Sequence, residues 1–193
     1  MMKKFITILG IIIISFHSML FAQNQKILLL GKCDKEATTD MLNYLNERSK
    51  IFLNAENNIE LSIDNISSYP IIFTCNNDYL KLTNQEVILL ENHLKQGGLL
   101  ILDNITSDYT YSIFLDKILP EFKKKSLPVD IFFEDNLFQV NLDETNIDLE
   151  GIFINNKLAI LGIKKNSMVN GWINQNEEFF KIGSSIIFYN LTR

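Results

Sequence analysis

Three short runs of unbroken apolar residues set the pattern of this chain: KILLLG at residues 26–31, IIFTC at 71–75, and Leu99 to Leu102. Each is too short for a helix and ends at Gly, Cys or Asp, as a strand buried on both faces does. Between them the spacing changes to that of helices. Ala37, Met41, Leu42 and Leu45 share one helical face, and Val87, Leu90 and Leu94 share another. Thr83 and Glu86 stand at capping-box spacing just before the second stripe. The stripe ends at Gly97-Gly98, where Gly97 can take the left-handed conformation that closes a helix and Gly98 permits a tight turn. Residues 59–63, IELSI, alternate and predict a short, less buried strand. Strand and helix in alternation predict a parallel sheet with helices on both faces.

The second half is less regular. Ile113, Phe114, Ile118 and Leu119 predict a helix that Pro120 stops. Residues 126–148 carry aromatic pieces at 131–133 and 137–140 between polar breaks, which predicts a long loop with short strands. Gly151 to Ile154 and Lys157 to Ile163 read as a hairpin around Asn155-Asn156, residues that tolerate positive φ. Phe179, Ile182, Ile186 and Leu191 then predict a final helix, with Glu177-Glu178 suited to its N-terminus. The expected architecture is a three-layer α/β domain with a C-terminal hairpin and helix.

The first residues change the picture. Lys3 and Lys4 precede an apolar run from Phe5 to about Leu20, and Ala22 offers a cleavage position, the order of a secretory leader. The competing reading is an uncleaved anchor, for which the run is shorter than the ~20 residues a span needs. The expectation is a leader at 1–22, one domain at 23–193 with no membrane span in the mature chain, and export to the periplasm or cell envelope. Removing the leader takes two of the 18 basic residues and none of the 23 acids, so the net charge moves from −5 to −7. Nucleic acid as a partner is thereby disfavoured, since phosphate binding needs a basic stripe. The one basic run, Lys123-Lys124-Lys125, reads as a solvated loop.

In order along the chain come Tyr69-Pro70 with its buried strand, the helix after Thr83, LKQGGLLILDN, EGIFINNKLAILGI, Gly171-Trp172 and KIGSSIIFYNLTR. Over residues 26–193 this resembles the bacterial domain-of-unknown-function family 4159. The resemblance implies a flavodoxin-like sheet similar to class I glutamine amidotransferases, in exported or membrane-associated proteins. It also implies envelope partners from a gene neighbourhood of MoxR-type ATPases and von Willebrand factor A proteins, and it carries over no activity. Where relatives often have Gly-His after the second strand, this chain has Asn76-Asn77. Asn104 stands where a second Asp commonly follows, and Asp135-Asn136 where an Asp-His pair is common. Asn does not titrate near neutral pH, so the replacements argue against acid–base work.

Cys75 ends a strand where an amidotransferase nucleophile would sit. A nucleophilic Cys needs a tight elbow and a base, yet FTCNNDY holds no glycine. His93, the sole histidine after the leader, is expected as a partly exposed residue at the opposite sheet edge, about 16 Å away across a five-residue strand. Cys33 and Cys75 follow strands that a flavodoxin-like order makes neighbours, about 4.8 Å apart. They form either a disulfide, which an oxidising compartment would preserve, or two unpaired buried thiols. Lys32, Cys75, Asn76, Asn77, Asp103 and Asn104 would then line one crevice outside the strand ends. The plainer reading is that Asp and Asn there make turns and cap the next helix. No metal set and no cofactor motif stands out, and Trp172 is expected to pack in a turn at the sheet end. These readings favour a non-enzymatic exported binding or assembly module. The alternative is a hydrolase or small-molecule binder that uses the crevice.

Overall fold

The computed structural model describes residues 25–76, 78–132, 138–140 and 144–192, apart from the side chains of 129 and 130. The segment expected to be a leader, Asn77 and Asp135-Asn136 lie outside the described residues. Seven strands form one sheet: β1 (Gln25–Leu30), β2 (Leu53–Asn57), β3 (Ile71–Thr74), β4 (Leu99–Ile105), β5 (Lys125–Leu127), β6 (Asp148–Ile154) and β7 (Lys157–Lys164). Their order is β2-β1-β3-β4-β7-β6-β5. The first five are parallel, and β6 and β5 add antiparallel at one edge. The three greasy runs are therefore adjacent and point the same way, in the 2-1-3-4 order by which a flavodoxin-like sheet begins.

Alternate residues of the strands divide two apolar layers. Ile27, Leu29, Ile71, Phe73, Leu99 and Ile101 face α1 (Lys35–Ser49), α5 (Met168–Ile173) and α6 (Glu177–Thr192). Leu28, Ile72, Leu100 and Leu102 face α2 (Ile63–Ile66), α3 (Asn84–Lys95) and α4 (Asp108–Ile118). The expected three-layer α/β architecture is what the chain adopts.

Local signals explain the element ends. Glu86 accepts the Thr83 backbone N–H at 2.7 Å while Thr83 Oγ1 accepts from the Glu86 N–H, a reciprocal cap that satisfies two orphan donors. Asn155 and Asn156 take φ of 50° and 65° between β6 and β7, the geometry of a two-residue hairpin turn. Gly97 has φ of 99°, as a helix-closing residue requires. Gly98 is needed for another reason: a Cβ there would lie 1.9 Å from His93 Nε2.

Four expectations are corrected. The alternating segment at 59–63 is not a strand. β2 lies earlier, at Leu53–Asn57, and Ser62 instead opens α2 through a capping box with Asn65. His93 is buried rather than partly exposed, with 7% of its surface accessible, because its ring packs on the bare α-carbon of Gly98. Trp172 is not in a turn but in α5, fully buried, donating its indole N–H to the Phe179 carbonyl at 2.9 Å. Lys125, placed in a loop from the sequence, begins β5.

Candidate functional site

Open parallel sheets bind ligands outside the carboxyl ends of their strands, where neighbouring strands send their chains to opposite faces. Here β1 leads to α1 on one face and β3 leads, through a 3-10 turn at Asp78–Lys81, to α3 on the other. That divergence lies at the exits of β1 and β3. It is bridged by a disulfide between Cys33 and Cys75, whose Cα atoms are 5.3 Å apart. Of the two alternatives the sequence left open, the protein adopts the bridge.

A second tie lies beside the first. Asp78 is buried, accepts the Lys32 backbone N–H at 2.7 Å, and pairs with Lys81. Burial pushes its carboxyl upward, but the Lys81 ammonium and the Lys32 N–H outweigh that, and the net shift is down. Gly31, with φ of 77°, is what lets Asp78 approach, since any Cβ would strike the carboxylate at 2.2 Å. The Lys32 side chain is exposed. Asp78 was not singled out in the sequence; the glycine ending β1 was the available signal.

Asp103 and Asn104 sit at the register break between β4 and β7. Such a bulge re-aims the side chains of the bulged strand. The Asp103 carboxylate is 1% exposed and is fully occupied. It accepts from Ser167 Oγ at 2.7 Å, from the Met168 N–H at 2.7 Å, and from the Val169 N–H at 3.3 Å. It thus caps α5, which lies more than sixty residues further on, and not α4, whose cap is Ser107. Burial raises the Asp103 carboxyl against these hydrogen bonds. Ser167 is the partner that sequence reading missed.

Asn76 and Asn104 meet on the rim: Asn104 Nδ2 donates to Asn76 Oδ1 at 2.7 Å, and both residues have positive φ, 51° and 59°. Asn tolerates this region better than most residues. Of the proposed crevice, then, Lys32, Asn76 and Asn104 reach the rim surface, while Cys75 and Asp103 are buried in structural bonds. His93 belongs to the opposite edge, with burial holding its pKa down. Among the described residues no group of three His, Cys, Asp or Glu side chains is placed to hold a metal ion, and no helix is long and apolar enough to cross a membrane.

No curated protein and no solved structure matches the chain. A family model does match, over residues 31–191, from the glycine that follows β1 through the stapled rim and the bulge into α6. The chain belongs to the family described as Domain of unknown function (DUF4159).

Proposed function

We propose that this is an exported, non-enzymatic α/β domain that binds or assembles with cell-envelope partners. The observation that carries the reading is the state of the Cys75 sulfur: the group best placed for nucleophilic chemistry is consumed in a bridge with Cys33. A disulfide sulfur is no thiolate, and attack requires the thiolate. The carboxylate nearest in kind to a general base, Asp103, is committed to α5. The leader-like N-terminus supports export, and a disulfide fits an oxidising compartment.

Support for a binding role comes from the surface of the α2–α3 layer. Ile63 and Ile88 are 77% and 57% exposed and border an uncharged groove of about 580 Å³. Exposed apolar patches of this kind are commonly covered by other proteins. The family neighbourhood makes MoxR-type or von Willebrand factor A-type envelope proteins the partners to test first.

The test is crosslinking in cells, with a tagged full-length chain and mass-spectrometric identification. Recovery of one such envelope protein by the wild type and by N76A, with loss in an I63E/I88E variant, supports the module. Recovery that depends instead on Asn76 and Asn104 favours the alternative, a small-molecule or hydrolytic site on the rim. Cytosolic residence of the chain, with free thiols, would overturn the exported reading.

A further inference from the structure

The edge of the sheet opposite the stapled rim, where β7 begins, holds a pocket of its own. It measures about 360 Å³ and lies between the β6–β7 turn and the end of α6, lined by Asn155, Asn156, Lys157, Leu158, Tyr189 and Asn190. We propose that this pocket binds a small organic acid through a single carboxylate group. It shares no residue with the Ile63–Ile88 groove, so a ligand here is a function beyond the envelope-partner reading.

Asn190 is only 5% exposed, and its side-chain Nδ2 has no hydrogen-bond partner. A buried donor left unpaired is costly, and native proteins keep few of them. Because Asn190 forms part of the pocket wall, an acceptor atom inside the pocket is the partner that the fold itself does not provide.

Lys157, the first residue of β7, brings a charge to the same place. Its side chain runs over the bare α-carbon of Gly97, with Cδ and Nζ each 3.7 Å from where a Cβ would stand. There the pocket meets a neighbouring groove of about 240 Å³, which shares Asn155, Lys157 and Leu158 with it. Among the described residues Lys157 forms no ion pair. Lys95, on the wall of the neighbouring groove, is already paired with Glu91 and Glu121. No Asp or Glu among the described residues lines either space.

These groups select the ligand's chemistry. An ammonium donates and never accepts, and the unpaired atom of Asn190 is also a donor. The complement is a group with acceptor oxygens and negative charge. One unneutralised ammonium matches one carboxylate, whereas a phosphate group near its second ionisation would bring more charge than the pocket answers. Leu158 and the half-buried Tyr189 ring, set edge-on to Phe132 at 5.2 Å, give the hydrocarbon part of the acid an apolar wall.

The experiment titrates the isotope-labelled protein with acetate and with benzoate, following the backbone amides and the side-chain amide of Asn190. At least one acid is expected to shift the signals of Asn155, Asn156, Lys157 and Leu158, and to move the Asn190 side-chain protons downfield as they gain an acceptor. Benzamide, of the same shape but neutral, should bind about tenfold more weakly than benzoate. Lys157→Gln, at an exposed side chain whose loss leaves the fold intact, should weaken acid binding by a similar factor, and Lys157→Arg should retain it. Affinity should fall as salt rises, because opposite charges meet at an open site. No shift with either acid overturns the proposal. So do shifts confined to other regions, undiminished binding to Lys157→Gln, equal binding of benzamide, or tighter binding of inorganic phosphate than of both acids.

Discussion

Cys33 and Cys75 are joined across the exits of β1 and β3, the place where a sheet of this order ordinarily opens to ligands. Their separation of 42 residues encloses α1, β2, α2 and β3, so the bridge restrains much of the unfolded chain.

The bridge is the first prediction. Intact mass of the protein should rise by about 2 Da on reduction, the two hydrogens of a cleaved disulfide. A C33S/C75S double variant should lose about 4 kcal/mol in the chain-entropy account, seen as a midpoint lower by roughly 10 °C in thermal unfolding. An unchanged mass after reduction would refute the pairing.

Asp103 is predicted to be structural. Asp103→Ala leaves the Ser167 hydroxyl and two N-terminal amides of α5 without their acceptor, which should cost about 3 kcal/mol in denaturant unfolding. Asp103→Asn keeps one acceptor oxygen and should lose less. Because Trp172 sits in α5, the Ala variant should also show altered tryptophan emission before global unfolding. Equal, near-zero losses in both variants would contradict the capping role.

Gly98 and His93 should be energetically coupled. Gly98→Ala forces the imidazole out of its place and should cost about 1–3 kcal/mol, the range for overpacked cores. In a His93→Ala background the same change should cost much less, since the obstructing ring is gone. A double-mutant cycle measures the difference, and strict additivity would show that the contact carries no energy.

Alkaline pH should act through Tyr69. Its hydroxyl is buried and donates to Glu56 at 2.7 Å, and burial followed by that carboxylate raises its pKa from 10.0 to about 12. A group raised on folding contributes stability that is fully present below the unfolded value and is lost as pH climbs through the folded one. Stability should therefore fall between about pH 10 and 12. Tyr69→Phe should flatten that fall while costing about 1 kcal/mol at neutral pH for the lost hydrogen bond. An alkaline fall of the same steepness in Tyr69→Phe would assign it to other groups.

Much of this architecture was written locally. Ile27 to Leu30 could only be a strand with both faces covered, and Thr83 with Glu86 could only open a helix in the company of Val87 and Leu90. Asn155-Asn156 declared the hairpin because few residues besides Gly accept two successive positive φ values. The failure at residues 59–63 is equally physical. Alternation in IELSI competes with the side-chain cap that Ser62 and Asn65 offer the backbone, and over five residues periodicity is too short to decide.

The candidate site was legible only in its membership. Cys33, Cys75, Asn76, Asp103 and Asn104 do gather at one edge, as the alternation of strand and helix required. Which of them faces solvent could not be read, because that depends on partners distant in sequence. Ser167 reaches Asp103 across 64 positions and Lys32 reaches Asp78 across 46. Nothing in either local sequence announces such a pairing.

The sequence by itself determined the leader pattern, the charge balance, the element types and the parallel sense of the core strands, since these follow from the order of apolar and polar residues along a short window. Only the tertiary structure decided that the rim is stapled, that Asp103 is a cap for α5 rather than an open acid, and that His93 needs Gly98. Those facts arise from distances between segments that the chain folds together, and a hydrogen bond or a disulfide is specified by proximity, which no local pattern encodes.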